Sequence, residues 1–192
     1  MHDTILFDFF GVICDDPQHL LLRRHPHLEP AVARAAYLLD TGRIPYDTYL
    51  AYLARISDEC VTDLTRAFTS PHLLNKAVVR LIATLKQNAR IGLLSNTCTE
   101  EFNRIASMHT VRELFDEIII SSETGLAKPD PAIFNLALQR LGARAETTVF
   151  IDDNEVNVIA ARHMGLRAIQ FTDKDQLSVV LKSIMAGTAG LY

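Results

Sequence analysis

A chain of 192 residues is the length of one domain, or of one domain carrying a modest insertion. Its 48% hydrophobic share is enough for a real core, and a net charge of −4 gives no support for binding nucleic acid or an anionic membrane. Cys14, Cys60 and Cys98 are odd in number and widely spaced, with no CxxC pair, so neither a disulfide framework nor a zinc site is suggested. No basic region precedes an apolar run at the N-terminus, and Asp8 interrupts the first apolar stretch. That pattern reads as no signal peptide and no membrane span, with a reducing cytoplasm as the expected compartment. Nothing in the sequence specifies an oligomeric state.

The apolar run Thr4–Phe7 predicts a first strand, closed by Asp8 and a turn at Gly11. From Asp15 to about Asn75 the pattern is helical only. Pro30 opens one helix that Gly42 closes, and Pro45 opens another with Tyr46, Tyr49, Leu50 and Leu53 along one side. Ser70-Pro71 starts a long amphipathic helix leading to a second strand, Arg90–Leu94. Thr97-Cys98-Thr99-Glu100 has capping-box spacing ahead of Phe102, Ile105 and Ala106. A third strand covers Glu117–Ile120. Asp130 caps the next helix, with Pro131 in its first turn, Phe134, Leu138 and Leu141 on one face and Gly142 at its end. Thr148–Ile151 is a fourth strand, a helix runs from about Asn154 to Met164 and stops at Gly165, and Arg167–Phe171 is a fifth strand. Strands separated by helix-length segments imply parallel pairing through crossover helices. The expected fold is α/β, with a parallel five-stranded sheet built from residues 1–14 and 76–192 and a helical insertion, residues 15–75, over the strand tips.

The acids carry the chemistry. Asp8 ends the first strand, and Asp152 and Asp153 end the fourth. Open α/β sheets bind ligands at the carboxyl ends of their strands, and in a parallel sheet these three carboxylates share one edge. Such a cluster repels itself unless a cation neutralises it, and a hard-oxygen donor set suits Mg²⁺ bound together with a substrate phosphate. Ser95 and Asn96 end the second strand, and Lys128 follows the third. A hydroxyl, backbone N–H groups and an ammonium are what a phosphoryl group needs. Taken singly, each residue is an ordinary cap or loop polar group. Their recurrence at successive strand ends is what points to a site.

Four segments carry a resemblance. FDFFGV around Asp8, LLSN with Ser95, GLAKPDPAIF with Lys128 and FIDDNEVNV with Asp152 and Asp153 resemble, in order, the motifs of the haloacid dehalogenase-like hydrolases. The resemblance covers essentially the whole chain and implies a Rossmann-like three-layer core with a small helical cap. The run Thr41-Gly42-Arg43-Ile44 and the tyrosine-bearing helix after it resemble the bacterial glucose-1-phosphate phosphatase-like branch. The resemblance implies a Mg²⁺-dependent phosphatase acting on a small phosphorylated metabolite such as a sugar phosphate. Asp8 would attack phosphorus and form an aspartyl-phosphate. Ser95 and Lys128 would hold the phosphoryl oxygens, with Asn96 beside them at the substrate. Asp8, the backbone carbonyl of Phe10 and Asp153 would bind the metal, with Asp152 acting through a water. Asn157 would order the turn after the fourth strand.

One position departs from the family's pattern. Phosphatases of the family usually carry an acid/base aspartate two residues after the nucleophile, where this chain has Phe10. Three explanations compete: a substitute acid among Asp15, Asp16 and His19, a leaving group acidic enough to need no proton, or a slow or inactive relative that binds a phosphate ligand. An aromatic residue here also resembles the metal-free dehalogenases, but the paired Asp152 and Asp153 would repel a haloacid carboxylate. Arg23-Arg24-His25-Pro26-His27 reads as a solvated charge run, Cys14 as a small buried hydrophobe, and Tyr46, Tyr49 and Tyr52 as packing within the insertion.

Overall fold

The computed structural model describes residues 3–70, 73–108 and 110–173, together with 177, 179 and 181. Five parallel strands, β1 (Thr4–Phe7), β2 (Arg90–Ser95), β3 (Glu117–Ile120), β4 (Thr148–Asp152) and β5 (Arg167–Gln170), form one sheet in the order β3-β2-β1-β4-β5. The central strand is apolar on both faces because both are covered. Ile5 and Phe7 join one cluster, with Val78, Ile82, Phe102 and Ile105. Leu6 joins the other, with Ile133, Phe134, Leu138 and Val158. The period-two alternation of a strand makes this division. The helices on the first face are α5 (Lys76–Leu85) and α6 (Thr99–Met108), and those on the second are α8 (Pro131–Leu141) and α9 (Glu155–His163). Phe134 meets Phe150 edge to face at 5.4 Å, and each such fully buried ring contributes about 1.5–3 kcal/mol.

Between β1 and α5 the chain forms four helices, α1 (Pro17–Arg24), α2 (Glu29–Asp40), α3 (Tyr46–Ser57) and α4 (Val61–Thr69). They enclose a third apolar cluster of Leu21, Val32, Leu39, Tyr49, Leu53, Leu64 and Phe68. The insertion stands on α6. Cys98, just before α6, completes its cluster, the Tyr46 hydroxyl donates to Glu101 at 3.1 Å, and Arg104 donates to the carbonyls of Phe68 and Thr69 at 3.0 and 3.2 Å. On the opposite flank Gly42 follows α2 with φ +69°, and a Cβ there would lie 2.8 Å from the Ser122 carbonyl oxygen of the short helix α7 (Ser121–Thr124).

Two local expectations are corrected. The helix before β2 starts at Lys76, with Asn75 accepting from the Val78 N–H at 3.3 Å. Ser70 instead ends α4, a separate helix that the sequence reading had not distinguished, and Pro71 lies outside the described residues. The capping-box spacing is displaced by one residue. Cys98 Sγ accepts the Glu101 N–H at 3.4 Å, and Thr97 donates to the side chain of Glu101, not Glu100, at 3.2 Å. The apolar face of α6 buries Glu101 with Phe102 and Ile105, and that packing overrides the local signal.

Candidate active site

Strand register brings the acids together. Phe7 pairs with Ile151 across β1 and β4, and the Asp8 N–H donates to the Ile151 carbonyl at 2.8 Å. Oxygens of Asp8, Asp152 and Asp153 therefore lie within 4.8 Å of one another. Lys128 sits between two of them, its Nζ 2.8 Å from Asp8 Oδ1 and 2.6 Å from Asp152 Oδ2, over the Phe150 ring at 5.5 Å. Asn96 fixes this lysine. Its amide accepts from the Lys128 N–H at 2.8 Å and donates to the Lys128 carbonyl at 2.9 Å. The side chain expected at the substrate is thus committed to the lysine's backbone, although it still lines the cavity.

The two neighbouring aspartates of β4 are not equivalent. Asp152 is fully buried and its carboxylate is filled from within the protein, by Lys128, the Asn154 N–H at 2.8 Å and the Asn157 amide at 3.1 and 3.2 Å. Asp153 is only half-buried and faces the cavity. After Asp8 the chain turns tightly, with the Ile13 and Cys14 N–H groups both donating to the Phe9 carbonyl. Gly11 in that turn has φ +77°, and a Cβ there would sit 2.1 Å from Asp153 Oδ2. Only glycine leaves that carboxylate its place.

Three carboxylates face one ammonium. Burial, and then the Asp152 charge, push the Asp8 carboxyl well above the usual range even though Lys128 pulls it down. Burial and Asp152 likewise raise Asp153. Burial alone would lower Lys128, but Asp152 and Asp8 more than reverse it and keep the ammonium charged. The excess of negative charge, the all-oxygen donor set and the space that Gly11 leaves beside Asp153 fit a hard divalent cation such as Mg²⁺.

A cavity of about 380 Å³ opens above these groups, lined by Asp8, Phe10, Lys128 and Asp153 from the core and by Asp16, Gln18, His19 and Asp40 from the insertion. Ser95 is fully buried behind it, and its hydroxyl has no hydrogen-bond partner among the described residues. Phe10 packs edge to face on Phe9 at 5.1 Å and against the first core cluster. Of the three substitute acids, Asp16 and His19 reach this cavity and Asp15 does not. Asp15 is exposed along a separate groove, and Asp16 caps α1 by accepting the Gln18 N–H at 2.8 Å. Cys14 is buried in the core and burial drives its thiol up to about 12, as befits a small hydrophobe. Arg24 and His25 pair with Glu59.

Sequence reasoning missed Asp40 and Glu101. Asp40 is the last residue of α2. A small second cavity joins it to Asp16, Glu101, Phe10 and Tyr49. The one available signal for Asp40 was an acid in a helix's last turn, where the dipole disfavours negative charge.

The haloacid dehalogenase-like hydrolase family matches residues 2–165. A D-ribitol-5-phosphate phosphatase of Bacteroides thetaiotaomicron is 25% identical, covering 95% of this chain and 100% of that protein. A sesquiterpene phosphatase of Aspergillus oryzae is 30% identical over 106 residues, 55% of this chain and 54% of that one. The chain spans between 21% and 54% of the length of the first curated relatives it matches. A magnesium complex of a haloacid dehalogenase family enzyme from B. thetaiotaomicron superposes with a TM-score of 0.77 at 19% identity, covering 94% of this chain and 98% of that one. Among the described residues no helix is long and apolar enough to cross a membrane. With the motifs in their expected places on the sheet edge and the family match running through most of its length, the chain belongs to the haloacid dehalogenase-like hydrolases.

Proposed function

We propose that the chain is a Mg²⁺-dependent phosphatase of small phosphorylated metabolites, acting through an aspartyl-phosphate on Asp8. The observation that carries this reading is Lys128, buried and bridging Asp8 and Asp152 beside a third carboxylate. An ammonium in that position opposes the burial that raises Asp8, favours its ionised form and offers positive charge to the phosphoryl oxygens. The orphaned Ser95 hydroxyl is a further donor for those oxygens. Asp8, Asp153 and the Phe10 carbonyl would hold the metal, with Asp152, already filled by protein donors, acting through water. The cation would supply charge neutralisation between nucleophile and substrate. Helices α1–α4 would act as a cap, since Asp16, Gln18, His19 and Asp40 wall the cavity above the strand tips. The names of two relatives, a polyol-phosphate and a sesquiterpene phosphatase, support phosphate-ester hydrolysis over other chemistry. A panel of phosphate esters assayed with Mg²⁺ and with excess EDTA tests the reading. Phosphate release that depends on Mg²⁺ is expected. Metal-independent halide release from a 2-haloacid, with no phosphatase activity, would replace it.

A further inference from the structure

Phe10 lines the cavity but has no proton to give, so an alkoxide leaving from phosphorus needs an acid from elsewhere. The geometry points to Asp40, at the C-terminal end of α2, as the general acid and base of the reaction. This rests on the phosphatase reading above. Four observations select it. Asp40 lines the cavity that holds Asp8, Lys128 and Asp153, and comes from the insertion above them. Its carboxyl has no hydrogen-bond partner among the described residues, whereas the other acids are committed. Asp16 caps α1, and Glu101 accepts from Tyr46 and Thr97. Thr41 closes α2 onto the Tyr37 carbonyl at 2.7 Å, and Gly42, two residues after Asp40, comes close to the Ser122 carbonyl of α7. The fully buried Tyr49 hydroxyl, with no hydrogen-bond partner among the described residues, lines the small cavity that Asp40 shares with Asp16 and Glu101.

The proton economy of the site agrees. Burial first, then the negative charges of Glu101 on α6 and Asp16 at the head of α1, raise Asp40 to about 8 against the pull of Lys128. The acid is therefore protonated near neutrality. In the first step Asp8 bonds to phosphorus, the bond from phosphorus to the leaving oxygen breaks, and that oxygen takes the Asp40 proton. The products are a neutral alcohol and an Asp40 carboxylate. In the second step water bonds to phosphorus, the bond from phosphorus to Asp8 breaks, and Asp40 takes back a proton from the water. The result is hydrogen phosphate, with both aspartates in their starting states.

The test compares leaving groups. Asp40→Asn, which keeps shape and removes the proton, should lower kcat by ~10²-fold or more on alkyl phosphates such as polyol and glycerol phosphates. On para-nitrophenyl phosphate, whose leaving oxygen needs no proton, it should lose less than about threefold. The basic limb of the kcat–pH profile should vanish with it, and Asp40→Glu should recover part of the alkyl activity. A melting curve matching the parent's checks the fold. Equal losses on both ester classes, or none on either, would overturn the assignment while leaving the phosphatase reading intact. So would a parent that cleaves the aryl ester and no alkyl phosphate. A parent that releases phosphate from neither class in Mg²⁺ would overturn both.

Discussion

Two groups of acids, one at the strand tips and one beside the adjoining small cavity, meet the problem of negative charge away from water in different ways. At the strand tips, Asp8 and Asp152 are charge-compensated by Lys128 at 2.8 and 2.6 Å, and Asp152 takes three more hydrogen bonds from Asn154 and Asn157. Asp40 on the insertion and Glu101 on α6 make no ion pair with a cation among the described residues, and Lys128 and Arg104 act on them only more weakly than burial. Burial raises them to about 8 and about 7 and favours protonation there, as it does at Asp8, where Lys128 opposes it with two direct contacts to the pair below. On the proposed reading, one set of carboxylates would serve as nucleophile and ligands, and Asp40 as the proton carrier. Their environments, not their identities, assign the roles.

The largest test of this contrast is at the nucleophile. Asp8→Asn is nearly isosteric, so the fold should survive while Mg²⁺-dependent phosphate release falls by at least ~10⁴-fold. Undiminished turnover in a pure preparation would remove Asp8 from the strand-tip chemistry. Next comes the turn that makes room for Asp153. Gly11→Ala introduces a Cβ 2.1 Å from Asp153 Oδ2 at φ +77°, a conformation that costs a non-glycine residue roughly 1–2 kcal/mol. It should lower the melting temperature and abolish most of the stabilisation that Mg²⁺ gives the parent. A variant that melts lower but keeps the full Mg²⁺ increment would place the cation away from Asp153.

Glu101 probes the other side. Its carboxyl is raised to about 7, first by burial and then by Asp16. An acid whose folded value exceeds its unfolded one stabilises fully below the unfolded value, about 4.5, and that contribution is lost as pH rises through about 7. Glu101→Gln should therefore reduce the drop in stability between pH 5 and pH 8 by about 1–3 kcal/mol, measured by denaturant unfolding at both pH values. An unchanged drop would mean that Glu101 is ionised throughout and that the two acid groups are alike. The smallest effect is expected at Phe10. Restoring an acid two residues after Asp8 would bring ~10²–10⁴-fold if the proton were simply missing. With Asp40 in place, Phe10→Asp should gain less than about tenfold on alkyl phosphates. It should also melt lower, since the ring packs on Phe9. A large gain would return the acid to the strand tips and break the division.

The strand-tip group was legible in the sequence because it needs only local facts. An apolar run that stops at Asp8, another that stops at Asp152, and parallel order put both at one edge. Lys128 was legible for the same reason. What each side chain touches was less so. Asn96 was read as a substrate ligand, but its amide complements the Lys128 peptide, a pairing that depends on how the loop after β3 folds back. Asp40 was not legible at all. It occupies an unremarkable helix terminus, and only the crossing of α2 over the sheet edge brings it to the cavity. Glu101 lay one residue from the capping signal at Glu100, and the packing of α6 decided between them. Local rules placed the groups built on strands, while tertiary crossings placed those built on the inserted helices.

The insertion is tied to the core at several points. The chain leaves and re-enters the core through two segments that are themselves paired: Cys14 bridges Leu74, the Asp15 N–H meets the Leu73 carbonyl, and the Asn75 N–H meets the Ile13 carbonyl at 2.8 Å. Arg104, Tyr46 and Gly42 pin it again at other points. Gln18 and His19 of the insertion and Asn154 of the core line one cavity, so these attachments also set the spacing across it.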